Sequence, residues 1–289
     1  VVAIVGIVVV LVAVLGGFAM ANGPFGVLLA KAEWVIICGT GLGTMLVSTP
    51  GPVLREMFRK IPGVFRPSPY TRDLYLDVLR LLFELFQTAR RDGLIAIEAH
   101  IERPDESELF RRYPRVLANH HAVEFLSDAL RTVLVGSVSA FDLESMLEAE
   151  MDVHHDNAAK PVAALNRVAD SLPGIGIVAA VLGIVVTMQS LGGPIEEIGH
   201  HVGAALVGTF LGILLSYGFI APVAANMESS NTDEHGLYAA LKAGTVAFAK
   251  NLPPMVAVEF ARKAIPGDSR PSFLEMEAAC KATRKEAAA

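Results

Sequence analysis

Cysteine is scarce in this 289-residue chain: there are two, Cys38 in an apolar run and Cys280 in the tail. They offer no disulfide framework, which fits domains facing a reducing compartment. Charge is missing over long stretches. No Asp, Glu, Lys, Arg or His occurs from Ser171 to Leu191 or from Val202 to Met227. Enzymatic signatures are missing as well. There is no Gly-x4-Gly-Lys-Ser/Thr loop and no Gly-x-Gly-x-x-Gly opening a helix after a strand, which excludes the common nucleotide-binding designs. Gly39-Thr40-Gly41-Leu42-Gly43 is glycine-rich but lies inside an apolar run, so it reads as a packing surface. Six of the eight histidines pair as neighbours, His120-His121, His154-His155 and His200-His201. Neighbours on a helix point about 100° apart, so no pair makes a chelating face. Surface or interfacial histidines are the reading, with no metal site. No nucleophile pattern is present, and an enzyme is not expected.

What the chain has is apolar bulk. It is 53% hydrophobic, with a mean hydropathy of +0.48, which points to a membrane protein. Yet 19% is charged, and the charge is clustered, so part of the chain must face water. The net charge of −6 argues against nucleic acid as a partner.

At ~1.5 Å rise per residue, each long apolar run can cross ~30 Å of hydrocarbon as a helix. Val1 to Met20 is the first span. Ala19-Met20-Ala21 has the small-x-small form of a cleavage site, but the run lacks a basic leader and is longer than a signal core. It is read as a retained helix, and Val at position 1 as numbering from an alternative start codon. Asn22-Gly23-Pro24 breaks it. A short loop carries Lys31 and Glu33. The second span runs from Trp34, an interfacial anchor, to Thr49, with Gly39 and Gly43 as a close-packing pair. Pro50-Gly51-Pro52 ends it. Ser171 to Leu191 and Val202 to Met227 form the third and fourth spans. The fourth carries Ala204, Gly208, Gly212 and Ser216 at four-residue spacing, and the third carries Gly176 and Ala180. Such stripes let backbones approach closely where lipid removes the hydrophobic drive.

Of the 24 Lys and Arg residues, only Lys31 lies in a short loop between paired spans. The rest lie between Leu54 and Arg167 or after Met227. Positive residues near span ends stay cytoplasmic. The fold class expected is an all-α membrane protein with four transmembrane helices, both termini cytoplasmic, and a helical cytoplasmic domain inserted between spans 2 and 3. The divisions are 1–49 for spans 1 and 2, 50–168 for the cytoplasmic domain, 169–227 for spans 3 and 4, and 228–289 for a cytoplasmic tail. Leu74, Val78, Leu81, Leu82, Leu85 and Phe86 recur at helical spacing. Arg90-Arg91-Asp92-Gly93 interrupts. A second helix carries Leu94, Ile97, Glu98 and Ile101. Arg103-Pro104-Asp105-Glu106 is a turn, with Asp105 or Ser107 as the cap of the next helix. Val123 to Leu134 is a longer helix and Asp142 to Asp156 an acidic one. In the tail a helix spans Tyr238 to Lys250, Pro253-Pro254 precedes a short helix to Lys263, and Ala278 to Ala289 reads as a frayed end.

An ion path usually shows itself by a buried charge, and no span has one in its middle. Either the chain only packs, or the titrating group comes from another chain. The polar atoms left in the spans are few: Thr40, Thr44, Thr187, Gln189, Thr209, Ser216 and Tyr217. Thr209 lies beside the stripe. Its hydroxyl either bonds its own i−4 carbonyl or faces a partner helix and orders water or an ion. Pro173 and Pro222 stand near the same end of their spans. They mark a boundary or kink, or they weaken the helix where its shape must change.

The residues also match a family. Asp170-Ser171-Leu172-Pro173-Gly174-Ile175-Gly176-Ile177-Val178-Ala179-Ala180 resembles the third span of the flagellar motor stator subunits of the MotA type, within the MotA/TolQ/ExbB proton channel superfamily. Val207-Gly208-Thr209-Phe210-Leu211-Gly212-Ile213-Leu214-Leu215, with Tyr217-Gly218-Phe219 and Pro222, is similar to the fourth. Pro253-Pro254, Val256 to Lys263 and Arg270-Pro271-Ser272-Phe273 resemble the C-terminal signature. Glu106 to Phe110 and Tyr113-Pro114-Arg115 also fit. The resemblance covers nearly the whole chain.

It implies a homopentamer around a dimer of MotB, a single-span partner carrying the essential ion-accepting Asp. It places the chain in the bacterial inner membrane among lipid, turning ion-motive force into torque. Carried over by position, Arg90 and Glu98 match the pair that contacts the rotor, whose switch protein is FliG. Pro173 and Pro222 match the prolines beside the partner's aspartate. Sodium-driven relatives have Thr where this chain has Ala180 and keep one at Thr209, which points to protons. No cofactor is implied beyond the translocated ion. The alternatives are an energy-transducing subunit of the ExbB/TolQ type, which resembles a three-span plan, and a membrane scaffold without ion flow. A stand-alone channel is disfavoured by the empty span interiors.

Overall fold

In an apolar setting a backbone without water must bond to itself, and a helix does this within one segment. The charge-free runs do so in the computed structural model, which describes residues 2–189 and 192–286, with side chains as far as 283. Val1, the Ser190-Leu191 end of the expected third span and positions 287–289 of the expected frayed tail lie outside the described residues. The chain runs α1 (Val2–Met20), α2 (Phe25–Leu28), α3 (Lys31–Ser48), α4 (Gly51–Lys60), α5 (Arg72–Asp92), α6 (Glu98–Glu102), α7 (Glu108–Arg111), α8 (Pro114–Leu117), α9 (His120–Val135), α10 (Ala140–Gln189), α11 (Ile195–Leu215), α12 (Ala221–Ala249), α13 (Pro254–Ala264) and α14 (Phe273–Glu286). A π-turn, Ser216–Ile220, joins α11 to α12. Among the described residues, four helical segments are long and apolar enough to cross a membrane: Val2–Met20, Phe25–Ser48, Ala140–Gln189 and Ile195–Ala249.

Local chemistry explains most ends. Asn22 takes a positive φ of 54° after α1, where the chain reverses toward Pro24. Thr71, Ser107, Asn119 and Ser139 each accept a backbone N–H at a helix start. Ser107, rather than Asp105, is therefore the cap before α7. Gly93, with φ of 91°, ends α5, and Gly136, left-handed at 69°, ends α9.

Several expectations change. Glu33 is not a loop residue: α3 starts at Lys31, and Glu33 is buried in its first turn. The stretch from Leu94 to Ile101 is a 3-10 turn, Leu94–Ile97, followed by the short α6. The acidic helix and the third span are one helix, α10, which passes through Pro161 and Pro173. The tail helix is the end of α12. The tail is not frayed from Ala278: α14 is a helix to Glu286 and buries Met276, Cys280 and Thr283, spaced four and three residues apart on one face.

The chain divides into two compact units, Val1–Pro67 with Asn157–Ser229, and Ser68–Asp156 with Ser230–Ala289. In the first, Ile37, Met45, Leu165, Leu172, Ala179, Val207 and Leu211 form the shared core of the spans. In the second, α5 is the central element. Its Phe86 stacks on Phe248 with ring centroids 4.4 Å apart. The buried Glu84 accepts from the Tyr113 hydroxyl at 2.8 Å and from Arg112 at 3.3 Å. Burying each large apolar side chain here contributes roughly 1.5–3 kcal/mol. Arg262 closes one corner, donating to both Glu259 oxygens at 2.7 Å and to the Pro271 carbonyl at 3.0 Å.

Candidate functional site

The small-residue stripe draws α10 and α11 together. A Cβ on Gly212 would sit 2.5 Å from the Leu172 carbonyl oxygen and 3.0 Å from the Gly176 Cα. One on Gly176 would sit 2.8 Å from the Gly208 carbonyl oxygen and 3.2 Å from the Thr209 Cα. One on Gly208 would meet the Ala179 Cβ at 2.9 Å and the Ala180 nitrogen at 3.3 Å. Only hydrogen on these carbons allows the approach. The contact thus gathers two candidates, Ala180 and Thr209, both half-buried, on facing backbones. The seam continues to Gly183, where a Cβ would meet the Ala205 Cβ at 2.6 Å. Ala205 is fully covered on this face, whereas Ala204 is only partly buried. Among the span threonines, Thr187 makes the back-bond, donating to the Gly183 carbonyl at 2.8 Å.

The prolines lie at one end of this contact. Pro173 has no N–H, so the Ala169 carbonyl four residues earlier lacks its helical donor. The Ser216 hydroxyl, across on the π-turn, donates to that oxygen at 2.7 Å. Pro222 is exposed and follows the π-turn directly. A proline ring presses on the carbonyl four residues back, here Gly218. The wider turn shifts the local carbonyls, and the Ala221 N–H bonds the Ser216 carbonyl instead. The hydroxyl of Ser216 therefore ties the region of one proline to the turn preceding the other.

Gly39 and Gly43 do not form the expected contact within the chain: a Cβ on either would meet nothing within 4 Å. The buried face of α3 is Glu33, Ile37, Gly41 and Met45, at four-residue spacing, and Gly41 is the glycine against Leu172. Glu33 was legible in that spacing, but as the second charged residue after a break it reads as loop. Its side chain is 5% exposed. Oε1 lies 3.5 Å from the Cβ position of Gly183, and Oε2 lies 3.3 Å from that of Gly208. Oε2 has no hydrogen-bond partner among the described residues.

In the other unit, Arg90 is exposed near the end of α5 and donates to the carbonyls of Asn251 and Leu252, both at 3.3 Å. Those carbonyls belong to the turn after α12, where Asn251 has a positive φ of 59°. Glu98 is exposed at the start of α6. No group of three His, Cys, Asp or Glu that could hold a metal occurs among the described residues.

A tight pair of proline-bearing spans within a chain of four candidate spans defines a polytopic helical membrane protein built around one close helix contact. Residues 4–93 match the motility protein A N-terminal family, and residues 118–239 match the MotA/TolQ/ExbB proton channel family. Motility protein A of Salmonella typhimurium is 39% identical over 279 residues, 96% of this chain and 95% of that protein. The chain belongs to the motility protein A family. Its fold is similar to that of C. jejuni MotAB, with a TM-score of 0.76 at 20% identity over 93% of this chain and 98% of that one. It is also similar to the flagellar MotAB stator complex of Bacillus subtilis, with a TM-score of 0.69 at 23% identity over 89% and 92%.

Proposed function

We propose that this chain is the A-type stator subunit of a bacterial flagellar motor, a non-enzymatic protein of the inner membrane that forms an ion path with a MotB-like partner and turns ion flow into torque. The observation that carries this reading is the α10–α11 pair: glycine-packed, with no charged residue of its own along the contact, and joined through Ser216 beside Pro173 and Pro222. Membership of the motility protein A family supports it. The names of the similar solved complexes, MotAB in both cases, support a MotB-like partner; that it is single-span follows from the resemblance. The homopentamer, the rotor protein FliG as the target of Arg90 and Glu98, and the cytoplasmic placement of the termini and of residues 50–168 follow from the resemblance and from the distribution of Lys and Arg. Four candidate spans count against the ExbB/TolQ alternative.

The physics is that of a charge carried past an apolar wall. Moving one unit charge through the membrane supplies ~2.3 kcal/mol per 100 mV. A partner carboxylate is costly against that wall while ionised and far less so once protonated. Each uptake frees the ring to step round the partner dimer, and the proline-weakened ends of α10 and the π-turn are where shape changes. Ala180 in place of a hydroxyl, opposite Thr209, favours protons over sodium as the translocated ion. Exposed charge pairs contribute ~0–1 kcal/mol each, so torque transfer through Arg90 and Glu98 needs several contacts. The test is complementation: in a strain lacking its own stator, the chain with its partner restores rotation, and failure with any single-span partner contradicts the reading.

A further inference from the structure

The stator reading leaves one group without work. Glu33 lies inside a candidate membrane span, Phe25–Ser48, and is 5% exposed. It faces two other spans, α10 at Gly183 and α11 at Gly208. Glycine at both places leaves the room its two oxygens occupy, at 3.5 and 3.3 Å from the missing Cβ positions. An ionised carboxylate in such a place is expensive without a partner, and Oε2 has none among the described residues. A carboxyl that only packed there would be replaced without loss by an apolar side chain of similar size. Hydrocarbon tolerates such groups chiefly where they handle ions or protons.

We propose that Glu33 is a proton-binding site contributed by this chain itself to the ion pathway. Glu33 takes a proton onto its carboxylate from the side of the α10–α11 loop, becomes a neutral carboxyl, and returns to carboxylate when the proton passes inward. One O–H bond forms and the same bond breaks, with no other reactant. The proposal rests on the stator reading, which puts this end of the spans outside. The titratable groups on the elements packed here are Lys31, one turn or less away, and the exposed Cys38 on α3, and Glu196, Glu197, His200 and His201 on α11. His201 and Glu197 share the α11 face of Ala205 and Gly208 by their spacing. In the part of α10 within this unit, Lys160, Arg167 and Asp170 stand at the opposite end from Gly183.

The test uses the full chain with its partner in a stator-less strain. It compares wild type, Glu33→Gln and Glu33→Asp for stator incorporation and for low-load rotation rate across external pH. Glutamine keeps the shape and cannot take up the proton. The proposal predicts normal incorporation of Glu33→Gln, rotation slower by about tenfold or more, and a flattened pH profile. Glu33→Asp should rotate faster than Glu33→Gln, with a displaced pH midpoint. Should Glu33→Gln fail to incorporate, the Glu33→Asp profile decides: displaced supports the proposal, unchanged overturns it. Wild-type speed and pH dependence in Glu33→Gln overturn the role of Glu33 and leave the stator reading standing. Failure of the wild type to restore rotation overturns both.

Discussion

The hydroxyl of Ser216 donates to the Ala169 carbonyl at 2.7 Å, the oxygen that Pro173 leaves without a helical donor. A buried carbonyl left unpaired costs about 1–3 kcal/mol. Ser216→Ala should therefore lower the thermal stability of the purified complex by about that much. Pro173→Ala restores an N–H to the Ala169 carbonyl, so in its background Ser216→Ala should cost far less. A double-mutant cycle on unfolding temperature checks this, and additive effects would show that the hydroxyl does not substitute for the missing N–H.

Gly212→Ala places a methyl 2.5 Å from the Leu172 carbonyl. The backbone there has no slack, so α10 and α11 must separate. The expected result is a complex that unfolds several degrees lower and does not support rotation. Gly39→Ala, whose methyl meets nothing within 4 Å, should leave the stability of the isolated chain unchanged. Paired melting curves of the two variants in detergent measure the contrast.

Arg90 holds the turn after α12 through two carbonyls at 3.3 Å, whatever else its charge does. Arg90→Glu should reduce torque, and reversal of a partner charge on the rotor should restore it only in part, because the turn stays unbonded. Arg90→Lys keeps the charge but not the planar guanidinium that sets Nη1 between the Asn251 and Leu252 carbonyls. It should cost about 0.5–1.5 kcal/mol of stability while keeping more torque than Arg90→Glu. Tethered-cell rotation and thermal melts report the two effects separately.

Glu259 is held below the ordinary carboxylate range by its bonds to Arg262. A carboxyl with a depressed value in the folded state stabilises above its unfolded value and loses that contribution as pH falls through the folded one. Wild type should exceed Glu259→Gln by about 1–3 kcal/mol near neutral pH, and the gap should close below about pH 4. Denaturant melts at several pH values measure it, and a gap that persists in acid would contradict the assignment.

The four candidate spans, the stripe and the two prolines were legible because absence of charge and four-residue spacing are properties of the sequence itself. Other features depended on which face of a helix is covered. Gly39 and Gly43 stand two residues to either side of the buried Gly41, about 200° round the helix, where an added Cβ meets nothing. Glu33 looked like a loop charge because the start of α3 is set by packing, with no capping side chain at Ala30. The tail looked frayed because Met276, Cys280 and Thr283 are weak hydrophobic markers among alanines and charges. The Arg72–Glu275 pair and the Arg80–Thr283 bond that help seat α14 join residues far apart in sequence.

At the centre stands one claim: this chain supplies a packed helical wall and conducts only in company. Ion flux into liposomes under an imposed voltage tests it most directly, measured for the chain alone and for the chain reconstituted with a MotB-type partner. The predicted result is proton flux with the partner, insensitive to removal of sodium, and none from the chain alone. Brisk, selective flux through the chain alone would contradict it.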